Sequence, residues 1–215
     1  VRIYQAKFDA NPNDVELLTK IAETLEKRKC DDSPLYLAVA VNLHKLNPSP
    51  ESAYLIGKKY LAEKDYNQAT KYLLEATKST NKDWAHQSYI YLAQIMNMNK
   101  NYEQGRTYAR KAYELDKTDG EPFIIIGQLY AASAKDCGAG DLESKAAFWA
   151  AVDQFEKAKS IDPSIAAKAN ELINAYSHYF PTVEIIFFNG YEEGQTYTLD
   201  KCWIGETTKV RAAKN

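Results

Sequence analysis

The sequence is poor in cysteine. Its three cysteines, Cys30, Cys137 and Cys202, stand far apart, and no two form a CxxC pair. That argues against a zinc site and a dithiol redox motif, and it leaves the redox compartment open. Long apolar runs are missing too. The tightest clusters, Ile124 to Ile126 and Ile185 to Phe188, fall far short of the roughly 18 residues that span a bilayer, so no membrane insertion is expected. Neither sign of charge dominates. With 27 basic and 29 acidic side chains the net charge is −2, and nothing pulls the chain towards nucleic acid or an anionic membrane. The three histidines, His44, His86 and His178, lack a second His or Cys at ligand spacing. Gly138-Ala139-Gly140 lacks the third glycine and the Lys-Ser/Thr of a phosphate loop. Asp141 and Glu143 lack the rest of a calcium loop. No acid–base–nucleophile set appears, so the expectation is a non-enzyme without metal or cofactor. An initiator methionine and a signal-peptide pattern are also missing. The chain opens in what reads as mid-helix, which points to a longer gene product.

What the sequence does hold is a recurring helical pattern. In the stretch from Ser52 to Thr80, Ala53, Ile56, Gly57 and Tyr60 share one helix face, while Ala69, Leu73 and Ala76 share a second. Gly57 lets a second helix approach closely, and Ala69 and Ala76 do the same from the other side. Ala62 to Asn67 is a short polar turn. The pattern recurs upstream with Leu18, Ile21, Ala22 and Leu25, then Tyr36, Ala40 and Leu43 after Pro34, a favoured first-turn residue. It recurs downstream with Tyr89, Leu92, Ala93 and Met96, then Gly105, Ala109 and Ala112. A fourth copy, with Phe123, Ile126, Gly127 and Tyr130 and then Ala151, Phe155 and Ala158, is split by an insertion within KDCGAGDLESKAAFW. Helix stops recur at Asn11-Pro12, Asn47-Pro48 and Asp162-Pro163, with a weaker one at Asp116-Lys117.

Residues 1–12 read as the end of a truncated repeat. Residues 13–180 form the solenoid, with repeats at about 13–50, 51–83, 84–118 and 119–163 and a capping helix at 165–180. Residues 181–215 change character. Thr182 to Phe188 reads as either a short helix stopped by Gly190 or a strand, the helix being slightly favoured. Gln195 to Leu199, Cys202 to Ile204 and Thr207 to Arg211 are β-prone and read as a hairpin or meander. So few strands are marginal alone and should pack on the last helices, burying Phe187, Tyr197 and Trp203. Cys137 lies in the inserted loop and Cys202 in this appendage. In an oxidising compartment their pairing is the bridge expected, whereas Cys30 sits in an early turn.

These motifs, W-x2-L-G-x2-Y followed by A-x3-F in degenerate form, resemble the tetratricopeptide repeat (TPR) family over residues 13–163. The ending GYEEGQTYTL…CWIGETTKVR and the CGAGD insertion resemble a bacterial group of TPR proteins to which no enzyme activity is assigned. The resemblance implies an all-α, right-handed solenoid with a small β appendage. Its concave groove, lined by the first helix of each repeat, would hold a partner peptide or helix. Carried onto this chain, the groove places are Glu16, Thr19, Glu23, Tyr54, Lys58, Gln87, Gln94, Asn97 and Gln128. One TPR subclass grips a partner's C-terminal carboxylate with Lys, Asn and Arg. Here those places hold Thr19, Glu23, Leu55, Gln87 and Tyr91, which argues against that mode. The resemblance implies an interaction scaffold for a protein partner. The alternative is an assembly subunit of a cell-envelope complex that works through its appendage or convex face. The bacterial resemblance suggests envelope or periplasm, with cytoplasm as the alternative.

Overall fold

The computed structural model describes residues 2–30, 33–138 and 140–213, and for Leu37 the backbone alone. Turn positions 31–32 and Ala139 of the inserted loop lie outside the described residues. The chain divides into two compact units, Val1–Leu92 and Ala93–Asn215.

The first unit holds α1 (Arg2–Ala10), α2 (Val15–Lys27), α3 (Pro34–Leu46), α4 (Pro50–Ala62), α5 (Tyr66–Ala76) and the first part of α6 (Lys82–Met98). Each start has a local cause. Asp14, Ser33 and Asp65 accept from the backbone N–H of Leu17, Tyr36 and Gln68, which satisfies donors a helix leaves orphaned at its start. Ser49 and Ser52 cap each other reciprocally at the start of α4, where Pro50 needs no N–H partner. Leu18, Ile21, Ala22 and Leu25 of α2 join Tyr36, Val39 and Ala40 of α3 and Ala53, Tyr54 and Leu55 of α4 in one core. Gly57 faces Leu73 of α5, and a Cβ built on it would stand 2.8 Å from Leu73 Cγ.

The second unit holds the rest of α6, α7 (Tyr102–Leu115), α8 (Glu121–Ala132), α9 (Asp141–Ile161), α10 (Ala166–Ser177), α11 (Val183–Phe188), β1 (Thr196–Thr198) and β2 (Thr207–Lys209). A 3₁₀ turn, Ala134–Cys137, occupies the insertion, and α9 extends the repeat's second helix backwards over Leu142 to Val152. The buried Phe155 of α9 sits against Gly127 of α8.

The turn inside a repeat is built alike each time. Lys29, Lys64 and Lys100 are the described non-glycine residues with positive φ, near 54°, 61° and 58°, and they stand 35 and 36 residues apart. The next N–H in each case, from Cys30, Asp65 or Asn101, donates to the carbonyl five residues back, on Leu25, Tyr60 or Met96. This is the Schellman closure, with lysine where glycine is commoner. The helices that end a repeat stop differently. Asn47, Asp116 and Asp162 take non-helical conformations at the ends of α3, α7 and α9. Asp116 and Asp162 then accept from the N–H two residues on.

The C-terminal segment is fastened within the second unit. β1 and β2 pair antiparallel with Tyr197 opposite Thr208. Trp149 of α9 donates its indole N–H to Arg211 O at 2.8 Å, and Arg211 pairs with Asp153 at 2.8 Å. Arg106 of α7 donates to the carbonyls of Ile204 and Trp203 at 2.6 and 3.1 Å, and Trp203 donates to Ser133 at 3.0 Å. A disulfide joins Cys137 to Cys202, with Cα atoms 4.8 Å apart. Two sequence expectations are corrected here. Cys202 to Ile204 forms a bend and a turn, not a strand, and the carbonyls of Trp203 and Ile204 are taken by Arg106. Phe187 is 73% exposed, not buried. Helix α11 has six residues and turns Ile186 inwards, which leaves Phe187 and Phe188 outside.

The fold is therefore all-α, built of helical-hairpin repeats, with a small two-stranded sheet appended.

Candidate functional site

Helices α2, α4 and α6 of the first unit enclose a cleft of about 450 Å³. Its walls are Glu23, Glu26 and Lys27 from the last two turns of α2, Tyr54 from α4, Asn81 just before α6, and Asp83, Trp84 and Gln87 from the start of α6. Three helices contribute because each is the first helix of its hairpin, and hairpin stacking sets such helices side by side. Asn81 shapes the entry to α6 by accepting from the N–H of Asp83 and Trp84 at 3.0 and 3.3 Å.

The floor is a fixed polar–aromatic stack. Tyr54 is only 2% exposed, and its ring lies parallel to Trp84, with centroids 5.0 Å apart and planes 14° apart. Its hydroxyl donates to Glu26 Oε1 at 2.9 Å. Burial, and after it the negative charge of Glu26, push the phenol pKa far up, so the proton that makes this bond stays in place. Lys58 donates to the same Glu26 oxygen at 3.1 Å, with its side chain 11% exposed. Its ammonium also stands over the rings of Tyr36 and Tyr54, 5.5 and 5.6 Å from their centroids. Glu26 thus ties the Tyr54 hydroxyl to the Lys58 ammonium, which stiffens the floor.

The residues assigned to the groove from sequence separate into groups. Glu23, Tyr54 and Gln87 line the cleft. Glu16 is exposed in the first turn of α2, and Thr19 is half-buried with its hydroxyl bonded to Val15 O at 2.9 Å. Neither lines the cleft. Lys58 does not line the cleft but pairs with Glu26, which does. Gln94, Asn97 and Gln128 are half-buried in the second unit. Tyr54, taken as an exposed place, is corrected to buried floor, and Lys58, also taken as exposed, is half-buried with its ammonium on Glu26. The Trp84 ring covers Tyr54, and the Glu26 carboxylate holds both the Tyr54 hydroxyl and the Lys58 ammonium.

Trp84, Asn81 and Asp83 were not singled out from sequence. A signal existed for Trp84, which stands three residues before Gln87 and so shares its helix stripe. Among the described residues, no three His, Cys, Asp or Glu side chains gather where they could hold a metal ion. His44 bonds Ser52 Oγ at 3.1 Å and meets Tyr72 edge-on, a packing role. No helix among the described residues is long and apolar enough to cross a membrane.

No family model matches the chain, and no curated protein matches it. Solved structures do resemble it in fold. MamA aligns with a TM-score of 0.56 at 20% identity, covering 78% of this chain and 82% of MamA. A second MamA structure gives 0.54 at 19%, covering 73% and 86%. YrrB, a TPR protein with an unusual peptide-binding site, gives 0.54 at 18% and covers 82% of each chain. At these identities the likeness is one of fold, and the fold is that of TPR proteins.

Proposed function

We propose that this chain is a non-enzymatic interaction scaffold that holds a peptide or helix of a partner protein in the cleft between α2, α4 and α6. The observation that carries this reading is the half-exposed Trp84, braced on the buried Tyr54 at the floor of an open cleft. An aromatic held rigid before binding loses little freedom on binding, which is what an interface anchor needs. Glu23, Glu26 and Asp83 around it disfavour a phosphate-rich polymer. The likeness of fold to YrrB supports a peptide ligand. Gln94, Asn97 and Gln128 are candidate further contacts in the second unit.

Partner capture from the native source with wild type and Trp84→Ala tests the reading, with circular dichroism as the folding control. The expected result is loss of capture by a variant that keeps its helical spectrum. Tyr54→Ala is a poor test, because emptying a buried aromatic site costs about 3–5 kcal/mol and threatens the fold itself. Equal capture by wild type and Trp84→Ala would move the site elsewhere. The second reading then takes over, in which the C-terminal part of the second unit docks on an assembly, such as one of the cell envelope. Its supporting observation is the exposed apolar set Tyr179, Val183, Phe187 and Phe188.

A further inference from the structure

We infer that the cleft selects a basic side chain, arginine before lysine, on the bound partner segment; this rests on the peptide-binding reading above. The argument is one of charge balance and ring geometry. Of the four charged residues that line the cleft, Glu26 is already engaged by Lys58 and Tyr54. The carboxylates of Glu23 and Asp83 belong to exposed residues and make no ion pair among the described residues. Lys27 is the one cation in the wall. The start of α6 adds about half a positive charge, and the end of α2, where Lys27 sits, adds about half a negative one, so the two helix ends offset each other. The two free carboxylates outweigh Lys27, and the cleft is left with a net negative charge.

Trp84 decides between kinds of cation. One face of its ring is covered by Tyr54, and the residue is half-buried in the cleft lining, so a ligand meets the part of the ring that stays exposed there. A guanidinium is planar, weakly hydrated and able to stack on an indole while its N–H groups fork to a carboxylate. Asp83 is the residue directly before Trp84, and Glu23 stands on the facing helix α2. The arrangement offers an aromatic surface with acceptors on two helices, which is the complement of arginine. An ammonium fits the charge but not the plane. An acidic or C-terminal carboxylate ligand fits neither.

The test uses the full chain and a set of fluorescent 15-residue peptides built on one neutral, flexible sequence. The central position is Arg, Lys, citrulline, Gln or Glu, and binding is read by anisotropy at low and at physiological salt. The expected order is Arg above Lys, with citrulline and Gln at least tenfold weaker than Arg and Glu weakest. Glu23→Gln with Asp83→Asn should weaken the Arg peptide tenfold or more and leave the citrulline peptide unchanged. The citrulline control keeps the planar shape and removes the charge, so it separates stacking from electrostatics. If all peptides bind alike, and Trp84→Ala weakens them all, the cleft binds peptides without regard to charge and the inference of a basic ligand fails alone. If Trp84→Ala changes nothing, or no peptide binds, the cleft reading fails with it.

Discussion

Single positions fix how closely these helices approach, and the glycines show it best. Gly57 and Gly127 hold equivalent places in two repeats, yet they differ in what lies opposite. A Cβ on Gly57 would meet the Leu73 side chain at 2.8 and 2.9 Å, with the Leu73 N at 3.2 Å. A Cβ on Gly127 would overlap the ring of Phe155 and stand 2.8 Å from the carbonyl oxygen of Ala151, which is backbone and cannot rotate away. Alanine gains about 1 kcal/mol over glycine inside a helix. Overpacking costs about 1–3 kcal/mol. For Gly57→Ala the two nearly cancel, because leucine can adjust. For Gly127→Ala the contact with backbone puts the overpacking at the upper end of that range, about 2–3 kcal/mol, and a net loss of about 1–2 kcal/mol is expected. Denaturant melts of both variants check this, and a Gly127→Ala protein as stable as wild type would remove the close α8–α9 contact. These glycines were legible in sequence, since a glycine at a fixed place in a repeating apolar stripe marks a helix crossing. The left-handed Lys29, Lys64 and Lys100 were not, because lysine carries no signature of positive φ.

At the scale of elements, what was legible was whatever depends on neighbours in sequence. Periodicity gave the helix faces, and caps such as Ser49 and Pro50 gave the starts, since both act within a turn or two. The fastening of the C-terminal segment was mostly hidden. Arg106 reaches carbonyls 97 and 98 residues away, on Trp203 and Ile204, and nothing in its local pattern says so. The cleft was half legible for the same reason. Glu23, Tyr54 and Gln87 follow from the repeat register, whereas Asn81 and Asp83 come from the turn before α6 and its first residues, where no stripe has yet formed. The disulfide closes a loop of 65 residues in sequence, for which chain entropy alone gives about 4 kcal/mol of stabilisation. Thiol titration of the protein, unfolded without reductant, should return one thiol per chain, from Cys30, and three after reduction. Three thiols before reduction would show that the bridge does not form. With the bridge formed, reductant should lower the melting temperature of the wild type, and a Cys137→Ser, Cys202→Ser double variant should already melt at the lower value and no longer respond.

For the molecule as a whole, both units bury a tyrosine hydroxyl next to a carboxylate, and this sets how stability responds to alkali. In the first unit Tyr54 is buried beside Glu26, and its pKa is raised far beyond the ordinary phenol value. In the second unit Tyr130 is pushed up to about 12. Burial is the largest cause. The hydrogen bond from Arg106 works against it, and the bond to Glu206 at 2.8 Å works with it. In the unfolded chain both phenols titrate near 10. Between about pH 10 and pH 12 the folded state therefore holds protons that the unfolded state has released, and the unfolding free energy must fall as pH rises. The stabilisation is fully present below about pH 10. For Tyr130 the full loss across that window is about 2–3 kcal/mol. Tyr54 goes on losing at higher pH, because its folded pKa lies beyond the window. Denaturant melts at pH 8, 9, 10, 11 and 12 should hold level up to about pH 9 and then drop with increasing slope. Tyr130→Phe, which has no phenol proton to lose, should be less stable than wild type at pH 8, where its bonds to Arg106 and Glu206 are missing. It should also show a shallower fall above pH 10. Parallel pH curves for wild type and Tyr130→Phe would mean that this hydroxyl ionises as freely in the folded protein as outside it, and the buried Tyr130–Glu206 bond would have to be given up.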